Sequence, residues 1–325
     1  MDLRKIQSTG GSSYSIILPK KWIIENKIDK KDGVFFDYNG VSLIIRPEYS
    51  LFLKKELIVE KFEPENLKRE IIAHYLSGVD KLTIKIKNIS QKNILPTIKE
   101  TILLLIGFEI RHSNGSKIEI IDIYNSGRFY FIKAINEMVD LSINMYADAV
   151  DSFITINKEK ATFVLSLDKE VNRIYFHIRR NFNRLLEGRL DKEGRFFSLL
   201  EIKFYEYLAI QLERIADHAV KISGMVVHQK LNFKTKDTSS LIRIYNKIFP
   251  HLQELKDDIK NINKDKSHDK IKNLLDIEKE LFQIWPNLNQ TNSKELIIFL
   301  DSINRLRGYL INIHERVVFQ CLLLN

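Results

Sequence analysis

The sequence predicts a multidomain, mainly α-helical protein with a small β-rich N-terminal unit, a small α/β layer, and two tandem antiparallel three-helix bundles. Its 325 residues include only 12 Gly and 6 Pro, too few for a loop-rich β protein. No proline occurs between Pro96 and Pro250, which favours long helices in that stretch. A hydrophobic share of 44% provides for sizeable cores. We place the domains at 1–48, 49–123, 124–230 and 231–325.

The first 48 residues have the pattern of a small β-rich unit. Residues 13–18 form a predicted strand, and Pro19 is expected at the first position of a short helix, where its missing N–H is no loss. Asn39 and Gly40 separate two β-rich runs, 34–38 and 41–45. An Asn-Gly pair between such runs predicts a hairpin.

Residues 50–123 alternate between strand and helix patterns. Strands are predicted at 56–62, 81–87, 108–111 and 117–123, and helices at 66–77 and 94–106. Gly78 and Gly107 follow the two helices, in the position where glycine commonly ends a helix. The order β-α-β-α-β-β predicts a small α/β layer.

Residues 124–325 carry helical periodicity throughout, with breaks expected near 158–163, 189–194, 230–239, 263–268 and 286–292. These breaks give six helices of about 20–30 residues, a length and number typical of antiparallel bundles. The apolar stripe at 212, 215, 219, 222 and 226 recurs at 303, 306, 310, 313 and 317, a constant offset of 91. The repeat predicts two equivalent bundles.

Acidic side chains gather on one face of the third long helix, opposite its apolar stripe. Like charges four residues apart, such as Glu213 and Asp217, repel each other unless a bound cation reverses the sign. The first two helices carry further acids. The candidate metal ligands are Glu213, Asp217, Glu206, Asp168, Glu170, Asp140 and Asp148. The alternative is an ordinary solvated face, with Asp217 paired to Lys221. In the second repeat, Asn304 and Gly308 stand at the two motif positions.

Short polar and basic side chains near the N-terminus suit contacts to phosphates and base edges. The candidate DNA-binding residues are Arg4, Lys5, Gln7, Ser8, Thr9, Ser12, Ser13, Lys20 and Lys21. The net charge of +9 adds little to this prediction, because the basic excess is spread along the chain. An ordinary polar surface is the alternative.

Several classes of protein are excluded or disfavoured. A single cysteine, Cys321, rules out a disulfide scaffold or a cysteine zinc site. No apolar run reaches the roughly 18–20 residues of a membrane span, and no signal-peptide pattern begins the chain. No nucleophile, acid–base pair or phosphate-binding loop stands out, so no catalytic residue is assigned. We therefore expect a cytoplasmic protein that is not an enzyme and has no membrane insertion.

Residues 4–47 resemble a SpoVT/AbrB-type domain. The resemblance rests on Arg4 to Tyr14 with its Gly10-Gly11 turn, on Leu18-Pro19-Lys20-Lys21-Trp22, and on the end of the segment through Ile45-Arg46-Pro47. It implies an intertwined homodimer whose two chains complete one swapped-hairpin β-barrel. It also implies DNA contacts from the basic first strand and turn.

The helical half is similar to PhoU-type domains. The stretch from Leu212 to Ala219 resembles the family's Glu/Asp-x-x-x-Asp motif on the third helix of a bundle, and residues 168–176 resemble the acidic start of the second. Asn172 departs from that pattern where an acid is usual. The resemblance implies a divalent, iron-type or zinc-type metal ion on the acidic face of the first repeat.

Together the two resemblances point to archaeal phosphate uptake regulators with this fusion. They imply a DNA-binding transcriptional regulator of phosphate uptake, whose bundles sense state or dock a partner. One alternative is an accessory protein that regulates a phosphate transporter component or a sensor kinase by contact, with the N-terminal part serving as a dimer clamp. A metal-dependent enzyme acting through Glu213 and Asp217 is the other alternative.

Overall fold

The computed structural model describes residues 3–11, 13–38, 42–47, 52–87, 91–123, 131–187, 199–228, 231, 235–289 and 294–324. The chain divides into two compact units, Met1–Phe52 and Leu53–Asn325. It is mainly helical, as predicted, with a small strand region at the N-terminus. The finer boundaries at 123/124 and 230/231 stay predictions. Among the described helices, none has both the length and the apolar character needed to cross a membrane.

The first unit contains two small antiparallel pairs and one short helix. Strands β1 (Gln7–Thr9) and β2 (Ser13–Ser15) pair, and β3 (Val34–Tyr38) pairs with β4 (Leu43–Pro47). Helix α1 is Lys20–Glu25. The second strand ends three residues earlier than predicted, since its pairing partner begins at Gln7. Pro19 caps the helix in an extended conformation rather than occupying its first position. The predicted Asn39-Gly40 turn lies outside the described residues.

The first unit has no core of its own. None of the described side chains between residues 3 and 47 is buried. The register of β3 and β4 places Val34, Phe36, Leu43, Ile45 and Pro47 on one face of the pair. Phe36 is nevertheless 55% exposed. The described strands form two separate two-stranded sheets, so the swapped-hairpin barrel, which needs a second chain, stays a prediction.

The second unit begins with the α/β layer, in the predicted order. It comprises β5 (Lys54–Val59), α2 (Pro64–Leu76), β6 (Lys81–Ile86), α3 (Gln91–Ile102), β7 (Phe108–Asn114) and β8 (Lys117–Asp122). The sheet order is β5-β6-β8-β7, with β5 parallel to β6 and the other neighbours antiparallel. Gly78 and Gly107 have φ of 77° and 94°, so both follow their helices in the left-handed conformation that favours glycine.

Seven helices follow in the described part of the chain: α4 (Phe131–Thr155), α5 (Lys158–Leu186), α6 (Leu199–His228), α7 (Thr235–Gln253), α8 (Leu255–Lys260), α9 (Lys264–Asn289) and α10 (Lys294–Leu324). The prediction of six is corrected by a break at Glu254, which separates the short α8 from α7. The break predicted near 158–163 falls at 156–157, because the Asn157 side chain accepts a hydrogen bond from the Lys160 backbone N–H and caps α5.

The two bundles share one hydrophobic core. The stripe positions of α6 and their counterparts 91 residues later on α10 are all buried, which confirms the repeated stripe. The Tyr146 hydroxyl donates to the carbonyl of Ser302 at 2.8 Å. His218 contacts the hydroxyls of Ser302 and Tyr309 on α10. The bundles therefore pack through their third helices.

The α/β layer is fixed to α5 by a buried arginine. Arg180, 1% exposed, donates to the Asp122 carboxylate and to the carbonyl of Tyr75, both at 2.7 Å. Arg184 lies within 4 Å of the carboxylates of Asp80 and Asp122. This network joins β8, α2 and the first bundle, and the sequence analysis did not identify it.

Candidate functional site

The candidate DNA-contacting segment is an exposed two-stranded turn. The register pairs Gln7 with Ser15, Ser8 with Tyr14 and Thr9 with Ser13. Gly10 and Gly11 form the turn with φ of 64° and 68°, a conformation that other residues rarely adopt. The Thr9 hydroxyl donates to the Ser15 hydroxyl at 3.1 Å. Ser12 lies outside the described residues. The turn therefore presents short hydroxyl and amide side chains to solvent.

The first unit also contains the four basic residues among the candidate DNA-binding residues. Arg4 and Lys5 precede β1, and Lys20 and Lys21 begin α1. All four are exposed. Lys21 lies 3.8 Å from Glu25, a surface pair that a phosphate could replace at little cost. Their role in DNA binding stays a prediction.

The acidic face of the first bundle lies between α5 and α6. Burial, and then repulsion from Asp217 and Asp168, raises the pKa of Glu213 to about 7. Burial and Asp168 raise the pKa of Asp217, and burial raises that of Asp168. Asp217 is exposed, whereas Asp168 and Glu213 are half-buried. The structure thus brings these three carboxylates into mutual electrostatic contact, and we call them the acidic triplet.

Glu206 lies on the same helix but has a different partner. Its carboxylate is 3.9 Å from the Arg179 Nε on α5. Arg179 also donates to the Tyr175 hydroxyl at 3.3 Å. The sequence places Glu206 and Glu213 on a solvent-facing side, and this is wrong: α5 covers that side, so both are half-buried. Lys221, which pairs with Asp217 in the alternative of an ordinary solvated face, donates to Asp301 on α10 at 3.1 Å.

The remaining candidate ligands are held in ion pairs with lysine or arginine. Asp140 pairs with Lys256 at 2.7 Å, Asp148 lies 3.7 Å from Lys160, and Glu170 accepts from Arg173 at 2.9 Å. Their metal role stays a prediction. Within the part of the chain that the structure describes, no group of three or more His, Cys, Asp or Glu side chains is arranged to hold a metal ion. The acidic triplet has suitable oxygen donors, but they are not preassembled.

Two family models match parts of the chain. The PhoU domain model matches residues 135–226, which contain the acidic triplet. The model described as antidote-toxin recognition MazE, bacterial antitoxin, matches residues 7–50. Each covers less than half of the chain. The chain thus carries a MazE/AbrB-like N-terminal segment followed by a PhoU-like helical region.

Solved structures support the fold of the helical part. PhoU from Pseudomonas aeruginosa is 19% identical, with a TM-score of 0.51, and the match covers 59% of this chain and 95% of that protein. The phosphate transport system regulatory protein PhoU from Streptococcus pneumoniae is 16% identical, with a TM-score of 0.50, and covers 58% and 92%. Both likenesses concern the fold alone. No curated protein matches the chain.

Proposed function

We propose that this protein is a cytoplasmic, homodimeric, DNA-binding transcriptional regulator of phosphate uptake and not an enzyme. The proposal of a dimer rests on the first unit, whose described side chains form no buried core. Among the described residues of this unit, eleven large hydrophobic side chains are exposed: Leu3, Ile6, Tyr14, Ile16, Ile17, Ile24, Phe35, Phe36, Leu43, Ile44 and Phe52. A unit of this size cannot fold without burying apolar surface, so a second copy supplies the missing half of its core.

The dimer would present two copies of the exposed polar turn and of the four basic side chains to DNA. Lysine and arginine neutralise phosphates and release counterions, and the hydroxyl and amide groups of the turn can bond base edges. The match to the MazE model over residues 7–50, which include the turn, Lys20 and Lys21, supports this assignment. The PhoU-like region supports phosphate uptake as the regulated process.

DNA binding by the full chain should weaken steeply as salt rises. Removing two lysines per chain with Lys20→Ala and Lys21→Ala removes four charges from the dimer. Each neutralised phosphate contributes about −0.9 to the slope of log affinity against log salt, so the slope should become shallower by up to about 4. Fluorescence anisotropy on DNA from the gene's own upstream region measures this change.

The matched control is Lys30→Ala with Lys31→Ala, which removes the same charge from exposed positions of the same unit. It should leave the slope unchanged. Equal losses in the two double variants would contradict the proposed interface. A dimer whose affinity for DNA is undetectable even at low salt would instead favour the accessory protein, which acts on a transporter component or a sensor kinase by contact.

We also propose that the acidic triplet binds one divalent cation. A cation would relieve the repulsion that raises the pKa values of Glu213 and Asp217. Because the triplet is not preassembled, its side chains would converge on the ion. Asp168, Glu213 and Asp217 would supply carboxylate oxygens, which suit hard or borderline ions such as Mn²⁺.

Equilibrium dialysis with Mn²⁺ tests the cation site. Binding should strengthen as pH rises through about 7, because Glu213 must lose its proton to act as a ligand. Glu213→Ala with Asp217→Ala should abolish binding, whereas Asp140→Ala with Asp148→Ala should retain it. Unchanged binding in the first double variant would show that the ion, if any, is held elsewhere.

A further inference from the structure

The second bundle contains a buried arginine at the position where the first bundle has its acidic motif. Arg307 on α10 is 6% exposed. Its Nε donates to the Asn304 side-chain oxygen at 3.0 Å, and Nη2 donates to the Glu278 carboxylate on α9. A longer contact of 3.5 Å joins Nη1 to the carbonyl of Leu274. The guanidinium is thus coordinated by oxygens from two helices.

The third helices of the two bundles carry different charged residues at equivalent positions. At the offset of 91, Glu213 corresponds to Asn304, Ala216 to Arg307, and Asp217 to Gly308. The first bundle therefore has two carboxylates on the third helix around a small alanine. The second has an arginine between two neutral residues. All three differences shift the local charge in the positive direction, because the second bundle lacks both carboxylates and has a guanidinium.

Burying a guanidinium is costly unless charged and polar partners replace its hydration. Here desolvation lowers the pKa of Arg307, and the Glu278 carboxylate opposes that change. A planar guanidinium suits this set of oxygen acceptors because it offers five N–H donors in fixed directions. Asn304 and Glu278 therefore surround a positive centre, which is the electrostatic role that the proposed metal ion would have between helices α5 and α6 of the first bundle.

We infer that Arg307 is a built-in cation of the second bundle. It takes the position that the proposed metal ion takes in the first bundle, and it makes the second bundle independent of metal. The chain consequently binds a cation of this kind only in its first repeat. The comparison with the first bundle rests on the proposed function, whereas the role of Arg307 rests on its own contacts.

Restoring the acidic motif in the full chain tests whether Arg307 excludes a metal ion. The variant Asn304→Glu with Gly308→Asp keeps Arg307 and should bind no more Mn²⁺ than the wild type. Adding Arg307→Ala should add one Mn²⁺ per chain. A Cβ at Gly308 meets nothing within 4 Å, so a side chain can start there without displacing a neighbour. Equal Mn²⁺ uptake with and without Arg307, or no gain in the triple variant, would overturn the inference.

Chemical rescue provides a second test that requires no metal. Arg307→Ala should lower the thermal midpoint of the full chain, and millimolar methylguanidinium should restore part of the loss. Arg305→Ala, whose side chain is 62% exposed, is the control and should show neither effect. Loss of stability without rescue would contradict the cation role. Rescue in a chain that binds no Mn²⁺ would support Arg307 while refuting the proposed metal site in the first bundle.

Discussion

Phe36→Asp is expected to convert the proposed dimer into a monomer with an unfolded first unit. Phe36 occupies the all-apolar face of the β3–β4 pair and is 55% exposed in the single chain. Burying a phenylalanine contributes about 1.5–3 kcal/mol, and a symmetric dimer contains two copies. The change should therefore weaken dimerisation by about 100-fold to 10,000-fold. Analytical ultracentrifugation measures this shift.

Phe35→Asp is the matched control for this experiment. Phe35 is 54% exposed, but the register places it on the other face of the pair, with Arg46. Its substitution should weaken dimerisation much less. If the two variants remain equally dimeric, the apolar face of the β3–β4 pair is not the dimer interface.

Arg180→Met should destabilise the second unit by about 3–5 kcal/mol, because it leaves buried carboxylates without their main counter-charge. Asp80 is 1% exposed and Asp122 is 9% exposed. Arg184 compensates only in part, at 3.7–3.9 Å from the same carboxylates. We expect the α/β layer to lose protection first in hydrogen exchange, with β8 and α2 affected more than α9.

The control is Arg179→Met, one residue away on the half-buried face toward Glu206. It should cost about 1 kcal/mol or less, as expected of a partly solvated pair. Combining Arg180→Met with Asp122→Asn should cost less than the sum of the single changes, because the two side chains form one pair. Strict additivity would show that the Arg180–Asp122 contact does not hold the layer in place.

Individual strands and helices could be predicted from the sequence where hydrophobic periodicity or a helix-ending glycine determines them. The α/β order, the glycines after α2 and α3, and the repeated stripe at an offset of 91 are consequences of side-chain spacing. The predicted ends of the helices were less accurate, because a capping hydrogen bond such as that of Asn157 depends on a single side chain. The break at Glu254 carries neither proline nor glycine itself, and the nearest helix breaker, Pro250, lies four residues earlier inside α7.

The contacts between elements could not be predicted from one sequence. The helical period places Glu206 and Glu213 away from the apolar stripe, yet a periodic pattern does not say that α5 covers that side with Arg179. Arg180 has no sequence signal either, since its partners lie 58 and 105 residues away. Asn304 and Gly308 showed from the sequence that the acidic motif is absent from the second repeat, but the contact of Arg307 with Glu278 joins two helices and has no sequence signal.

The most direct test of the proposed function is the stoichiometry of the full chain on DNA from its own upstream region. Sedimentation of labelled duplex with wild-type protein should show two chains per duplex at moderate salt, and Phe36→Asp should abolish the complex together with the dimer. A wild-type dimer that leaves the duplex free, or a complex containing one chain, would contradict a regulator that binds DNA through a two-chain N-terminal domain.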